Sequence, residues 1–228
     1  MGFPRSRFLC LTGILFTALR LTGAEADPAW HTFHHEHVLG TSRELRFAAA
    51  KTGDAQRAEA AALAEIDRLA AILSGYDTNS EFSRWAATQG EPRRVSSDLI
   101  NVLSLFDQWR ERTRGALDAA AETAVRLWRG AAEQGRVPSS DEIAAAVAAV
   151  AARHWELNLD AGTATRLSAA PLRLNSFAKG SIIDRAAAAA LASAPIAGAV
   201  INLGGDVLVR GPQAVTVAVT DPLADAET

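Results

Sequence analysis

The 228-residue chain contains a single cysteine, Cys10, and this excludes both an internal disulfide framework and a cysteine-based zinc site. The chain also has no excess of positive charge, because 23 lysines and arginines stand against 26 acidic residues and the formal net charge is −3. A nucleic-acid binder that works by neutralising phosphates is therefore not expected. Hydrophobic residues make up 49% of the chain and charged residues 21%, which excludes a disordered or collagen-like protein.

The apolar run near the N terminus is short. It extends from Phe8 to Leu19, whereas a bilayer-spanning helix needs about 20 apolar residues. Arg5 and Arg7 precede this run and Ala24-Glu25-Ala26 follows it, which is the order of parts in a cleavable export signal. We therefore expect residues 1–26 to be a signal peptide that is removed on export. The alternatives are an N-terminal membrane anchor and a buried helix.

The hydrophobic periodicity predicts an α+β fold, since helices dominate early in the chain and strands late. The predicted helices are Asp54 to Ser74, Ser96 to Arg114, Ala119 to Ala132, Asp141 to Ala152, and Ser181 to Ala194. The predicted strands are Val38 to Phe47, His154 to Leu159, a segment at Leu172 and Leu174, Ala199 to Leu203, Val207 to Arg210, and Val215 to Thr220.

Residues 31–37 hold four of the five histidines of the chain. Imidazoles at this density are able to bind zinc, nickel or copper. A polar N-terminal segment without folded geometry is the favoured interpretation, because a metal site needs ligands that are fixed in space and chain termini rarely fix them.

Two further segments have turn chemistry. In the loop Ser74 to Trp85, Tyr76 and Trp85 either stack on a planar ligand or cover the core as part of a helix end. In Asn202 to Asp206, the paired glycines favour a tight hairpin over a bare backbone surface for a ligand.

The segment Asn175 to Arg185 is predicted to join the end of a strand to the start of a helix. Free backbone N–H groups at a helix start favour a phosphate, Gly180 allows a close approach, and Lys179 adds positive charge. A capped helix start without a ligand is an equally good interpretation.

Taken together, these segments resemble the ApbE-type FAD:protein FMN transferases. The matching motifs are Leu39-Gly40-Thr41 for Met-Gly-Thr, S-x-Y-x-x-x-S-E-x-S-R at Ser74 to Arg84, Gly115-Ala116-Leu117-Asp118 followed by Leu127-Trp128, Ala178-Lys179-Gly180 with Asp184-Arg185, the N-x-G-G-D hairpin at Asn202 to Asp206, and Thr220-Asp221-Pro222. The resemblance implies an ApbE-like, T-fold-like architecture, with helices packed on a mixed or antiparallel sheet.

The resemblance also implies a reaction. Such enzymes transfer the FMN half of FAD to a threonine or serine hydroxyl of an acceptor flavoprotein subunit and release AMP, with Mg²⁺ as the cofactor. The family pattern assigns the FAD site to Leu39, Tyr76, Ala116, Leu117, Asp118, Asn175 and Ser181 and one magnesium ligand to the carbonyl of Ala178. Bacterial members act outside the cytoplasm, so the expected location is the periplasm, with contact to the membrane surface through the acceptor.

The family continues beyond its Asp-Pro motif with an aspartate and a threonine that complete the metal site, and none of this follows Thr228. We therefore expect a C-terminally truncated member: a signal peptide (1–26), a histidine-rich segment (27–37) and the N-terminal part of the transferase domain (38–228). As it stands the chain is expected to be inactive. An FAD pyrophosphatase and a non-catalytic periplasmic flavin- or metal-binding module are the alternative functions.

Overall fold

The computed structural model describes residues 27–38, 41–212 and 214–218. Within these residues seven strands form two antiparallel sheets, and six α-helices accompany them. The predicted α+β class is therefore confirmed.

The elements follow one another in this order along the chain: β1 (Ala29–Val38), β2 (Thr41–Ala49), α1 (Thr52–Leu73), α2 (Glu81–Ala86), β3 (Pro92–Arg94), α3 (Ser97–Arg112), a 3₁₀ turn (Ala119–Ala121), α4 (Glu122–Glu133), α5 (Ser140–Ala151), β4 (Trp155–Asn158), β5 (Thr163–Arg166), α6 (Asn175–Ser193), β6 (Ile196–Leu203) and β7 (Asp206–Arg210).

The larger sheet has the strand order β1-β2-β6-β7, and α1 and α6 pack together against it. Phe47 of β2 and Ile201 of β6 are fully buried, as is Ile66 of α1. Ala186 and Ala190 of α6 have no exposed surface, and side chains this small let the helix lie close to its neighbours. This layer brings the C-terminal end of α1 beside the first turns of α6.

The smaller sheet has the order β3-β5-β4. The indole of Trp85, which is only 3% exposed, donates a hydrogen bond to the carbonyl of Ala164 at 3.1 Å. On α3, the ring of Phe106 meets Phe177 of α6 edge-on, with centroids 4.7 Å apart, and Trp155 of β4 at 6.5 Å. These aromatic contacts join the second sheet to the helical layer.

Local signals predicted several boundaries correctly. Ser96 caps α3, and Gly115 lies just beyond the end of that helix with φ +86°. Ser139 and Glu142 form the predicted capping box of α5. The favoured hairpin at 202–206 is confirmed, since Gly204 and Gly205 have φ values of +60° and +92° between β6 and β7.

The N-terminal predictions need correction. Instead of one strand from Val38 to Phe47, there are two strands, β1 and β2, that pair antiparallel. The histidine-rich segment is most of β1, so the interpretation without folded geometry is wrong. A strand gains its hydrogen bonds from its partner, and Phe33 packs against Phe47 across the pair.

Three other strand or helix predictions differ from the structure. Leu172 and Leu174 are buried, but their segment pairs with no strand among the described residues. The two side chains are buried because they pack into the hydrophobic core and not because they lie in a sheet. Helix α6 begins at Asn175, six residues before the predicted Ser181, so no strand ends there. Of the predicted strand Val215 to Thr220, residues 215–218 form no strand and the rest lie outside the described residues.

None of the helices among the described residues is both long and apolar enough to cross a membrane.

Candidate functional site

A cleft of about 850 Å³ lies where the end of α1 meets the start of α6. We call it the Tyr76 cleft. Its apolar side chains come from both helices, and its polar groups come from the loop after α1 and the first turns of α6. The lining residues are Ala70, Leu73, Ser74, Gly75, Tyr76, Asp77, Asn175, Ala178, Lys179 and Ile182. A cleft with an apolar wall and a few converging polar groups is typical of a small-molecule site.

Serine side chains hold the loop of this cleft in shape. The hydroxyl of Ser74 accepts hydrogen bonds from the backbone N–H groups of Tyr76 at 3.2 Å and Asp77 at 3.0 Å. The hydroxyls of Ser80 and Ser83 both donate to the carbonyl of Ser74, at 2.5 and 3.1 Å. The serines of the S-x-Y-x-x-x-S-E-x-S-R motif therefore tie the loop to the start of α2.

Tyr76 presents its ring to solvent and is 75% exposed. Its hydroxyl accepts a hydrogen bond from the side-chain amide of Asn175 at 3.1 Å, and the guanidinium of Arg173 lies 4.9 Å from the centre of its ring. The fold thus brings together Tyr76 and Asn175, 99 residues apart in sequence. Trp85, in contrast, is buried, so its interpretation as part of the core is confirmed and only Tyr76 is available to stack on a ligand.

The predicted phosphate site at the start of α6 needs correction. Gly180 is the sixth residue of the helix, so it does not expose free backbone N–H groups as a helix start would. Lys179 does line the cleft, and its ammonium group lies 3.7 Å from the carboxylate of Asp206. The positive charge in the Tyr76 cleft is therefore that of the Lys179 side chain, and free backbone N–H groups at Gly180 do not contribute to it.

The described residues offer few metal-binding side chains near Ala178. Ala178 is 6% exposed and lies inside α6, where a backbone carbonyl accepts the N–H four residues later. Asp77 is the one acidic residue lining the Tyr76 cleft, and its carboxylate accepts the N–H of Asn79 at 2.8 Å. Among the side chains that the structure describes, which do not include those of residues 36–42, no cluster of three or more histidine or acidic groups is suited to hold a metal. Magnesium commonly keeps several waters and uses one or two protein oxygens together with substrate phosphates, so a complete site would need the bound nucleotide as well.

A second cleft, of about 750 Å³, lies between the end of α3, the 3₁₀ turn, α4 and α5. Ala116 and Asp118 line it. Asp118 is nearly buried: its carboxylate lies 2.9 Å from Nε of Arg110, accepts the N–H of Ala120 at 2.7 Å, and lies 3.6 Å from Nε2 of His154. The predicted FAD residues are thus divided between two clefts, and the carboxylate of Asp118 is already engaged in contacts within the protein.

The remaining predicted site residues are placed as follows. Leu117 is partly buried against the core, and Ser181 is half-buried on α6 outside the lining of the Tyr76 cleft. Leu39 lies outside the described residues. Sequence reasoning missed Arg173, which contacts Tyr76 and the carbonyl of Gly75, because nothing in its local sequence distinguishes it from a surface arginine.

Comparison with known proteins gave a family and a set of similar structures. The model of the ApbE family matches residues 39–228. The flavinyl transferase ApbE of Pseudomonas stutzeri, in its apo form, is 21% identical with a TM-score of 0.67, over 81% of this chain and 59% of that structure. The flavin transferase ApbE of Vibrio cholerae is 22% identical with a TM-score of 0.67, over 82% and 60%. The ApbE protein of Thermotoga maritima is 24% identical with a TM-score of 0.67, over 81% and 60%.

The chain therefore spans about three fifths of the length of the structures it matches. At these identities the likeness concerns the fold. A comparison with curated protein sequences gave no significant match.

Proposed function

Because the chain belongs to the ApbE family, we propose that it functions in flavin transfer, with FAD as the substrate and a hydroxyl-bearing acceptor protein as the partner. The acceptor group is a threonine or serine of a flavoprotein subunit, AMP is the leaving product, and Mg²⁺ is the cofactor. The chain spans about 60% of the similar structures, so the activity of a whole transferase is extended to it only as part of this proposal.

The observation that carries the proposal is the Tyr76 cleft. An exposed aromatic ring, the amide of Asn175 and the side chain of Lys179, whose ammonium also contacts Asp206, line one cleft that has apolar walls. A flavin nucleotide has a planar ring system and a negatively charged diphosphate, so it needs an aromatic surface and a cation within one cleft. Both are present here.

The proposed reaction is a displacement at phosphorus. The oxygen of the acceptor hydroxyl forms a bond to the phosphorus of the FMN half, and the bond from that phosphorus to the oxygen bridging to AMP breaks. AMP leaves with the bridging oxygen, and the proton of the hydroxyl passes to solvent. In this chain Tyr76 and Asn175 would orient the nucleotide, and Lys179 would offset its negative charge. A bound divalent cation would stabilise the charge that develops on the diphosphate.

The binding step is tested with FAD itself. We expect the chain to quench FAD fluorescence on titration, and Tyr76→Ala to weaken the affinity by about tenfold, because stacking on an aromatic ring is worth about 1–3 kcal/mol. Tyr76→Phe keeps the ring and is expected to retain most of the affinity. Trp128→Ala is the matched control, since Trp128 is an exposed aromatic on α4 that does not line the Tyr76 cleft. Equal affinity of Tyr76→Ala and the unaltered chain would disprove the site.

The transfer step is tested by product analysis. The chain, FAD, Mg²⁺ and an acceptor peptide with threonine and serine hydroxyls are incubated, and mass spectrometry measures an FMN-sized addition to the peptide. Among the described residues the family pattern assigns one magnesium ligand, the carbonyl of Ala178, and one neutral carbonyl does not hold the ion against water, so we expect no addition with this chain alone. Release of free FMN and AMP without peptide modification would favour the alternative pyrophosphatase, with water as the nucleophile.

Export is part of the same proposal. Residues 1–26 lie outside the described residues, and their order of basic, apolar and Ala-x-Ala parts supports cleavage after Ala26. We expect the protein in the periplasmic fraction to begin at Asp27 when its N terminus is sequenced. A protein recovered from the cytosol with Met1 intact would exclude the signal.

A further inference from the structure

Arg173 is held in place by its neighbours on both sides. Leu172 is 8% exposed and Leu174 is 1% exposed, so both anchor the backbone in the core. The N–H of Arg173 donates to the carbonyl of Ala119 at 2.9 Å, which ties the segment to the 3₁₀ turn. The backbone of Arg173 is therefore fixed by core packing.

The guanidinium of Arg173 reaches the loop of the Tyr76 cleft. It donates to the carbonyl of Gly75 at 2.8 Å and lies 4.9 Å from the centre of the Tyr76 ring. Its Nε lies 3.5 Å from the carboxylate of Glu122 at the start of α4. One side chain thus connects the cleft loop with the segment that carries Glu122.

The carboxylate of Glu122 is suited to hold this arginine. Burial has the largest single effect and raises the pKa of Glu122, but the hydrogen bond from Arg126 and the charge of Arg173 together lower it below its ordinary value. Glu122 is therefore ionised at neutral pH. An ionised partner on one side and a carbonyl on the other restrict the guanidinium to a position beside Tyr76.

Gly75 provides the space for this arrangement. A Cβ atom at position 75 would lie 3.3 Å from a terminal nitrogen of Arg173 and 3.5 Å from the ring of Phe82. The distance to the guanidinium is tighter than an ordinary contact, so a side chain at position 75 would require Arg173 to shift by a few tenths of an ångström. The glycine therefore leaves the guanidinium free to lie close to the loop.

We infer that Arg173 is a positioning residue that fixes the ring of Tyr76 and covers one of its faces, so that a planar ligand stacks only on the other face. An exposed tyrosine without such contacts samples several rotamers, and a ligand has to select one of them. Arg173 contacts a face of the ring, and Asn175 donates a hydrogen bond to its hydroxyl. The surface on which a ligand stacks is therefore formed before the ligand binds. The identity of the ligand as a flavin nucleotide rests on the proposed function.

Tyr76 is the only tyrosine in the chain, which allows a direct test in the protein without ligand. Incorporation of fluorotyrosine gives a single fluorine NMR resonance. We expect Arg173→Met to move this resonance toward the position of the unfolded chain, and Arg173→Lys to move it less because the cation is kept. Arg112→Met is the matched control, since Arg112 lies over the ring of Trp109 at 5.6 Å. An unchanged resonance in Arg173→Met, with the fold retained, would overturn the inference.

FAD titration provides the second readout. We expect Arg173→Met to weaken FAD binding by about fivefold, with partial recovery in Arg173→Lys, since a partly exposed cation–π contact is worth about 1 kcal/mol. In the double variant Tyr76→Ala/Arg173→Met the loss should equal that of Tyr76→Ala alone, because Arg173 acts through the ring. Additive losses would overturn the positioning role.

The two readouts separate the inference from the proposed function. If the unaltered chain binds no FAD, the proposed function is refuted, and the fluorine resonance by itself upholds or overturns the positioning of Tyr76. If FAD binds and the resonance does not respond to Arg173→Met, the proposed function stands and the inference is refuted.

Discussion

Replacing Phe106 with alanine is expected to lower the free energy of unfolding by about 3–5 kcal/mol, which makes it the largest effect of a single substitution predicted here. Phe106 is 1% exposed and packs edge-on against Phe177 and Trp155. Truncation removes the buried ring, leaves a cavity, and abolishes two aromatic contacts that join α3 to α6 and to the second sheet. The cavity is bounded by two rings held by different elements, α6 and β4, so it cannot easily collapse.

The measurement is equilibrium unfolding in urea, followed by circular dichroism. Phe106→Leu fills most of the space and is expected to cost less than about 1.5 kcal/mol. Val137→Ala is a surface control, because Val137 is 72% exposed, and it should change the stability by less than about 0.5 kcal/mol. A loss for Phe106→Ala no greater than that of the surface control would contradict the packing described for α3.

Replacing Asp118 with alanine is expected to cost about 2–4 kcal/mol, because it removes the carboxylate partner of the partly buried guanidinium of Arg110, which keeps its hydrogen bonds to the carbonyls of Val150 and Ala151, and it removes the cap of the 3₁₀ turn. The side chain of Asp118 is 3% exposed and that of Arg110 is 28% exposed, so the pair is shielded from water on the aspartate side. The N–H of Ala120 also loses its acceptor.

Asp118→Asn separates the two contributions. The asparagine oxygen still accepts the N–H of Ala120 but carries no charge for Arg110, so about half of the loss is expected. A double variant that also removes the charge of Arg110 should recover part of the stability lost in Asp118→Ala. A stability equal to that of the unaltered protein for Asp118→Ala would show that the buried pair contributes nothing. The stability measurement is also needed for the functional test, because a loss of FAD binding in Asp118→Ala indicates a role in the FAD site only if the variant is folded.

Much of the local structure could be predicted from the residues themselves. Ser96 and Ser139 cap helices because a serine hydroxyl accepts a backbone N–H of the first turn, and the carboxylate of Glu142 accepts the N–H of Ser139 in return. These contacts are local and do not depend on the rest of the fold. Gly204 and Gly205 form the hairpin turn because positive φ angles are easy only for glycine.

The strand predicted at Leu172 and Leu174 was wrong because strand pairing, unlike a helix cap or a turn, is not a local property. Alternating burial is produced by any extended segment lying on a core, and sheet pairing needs a partner strand that the local pattern does not contain.

Some residues of the candidate site could likewise be identified from the sequence alone. The S-x-Y-x-x-x-S-E-x-S-R motif and the residues Asn175 and Ala178 were found in the sequence, since their spacing is a local property of the chain and resembles a known family. The sequence therefore determined the α+β class, the helix boundaries that depend on caps and glycines, and the family to which the chain belongs.

Only the tertiary structure decided how these residues are combined. It joined Tyr76 with Asn175 and Arg173, placed Ala116 and Asp118 in a separate cleft, and engaged the carboxylate of Asp118 with Arg110. Each of these relations links residues from different elements. Packing of α1 against α6 sets the distances in the Tyr76 cleft, and packing among α3, the 3₁₀ turn, α4 and α5 sets those around Asp118. Contacts of this kind depend on the whole core, because a side chain such as Arg173 acquires its partners only when the buried residues beside it fix where its backbone lies.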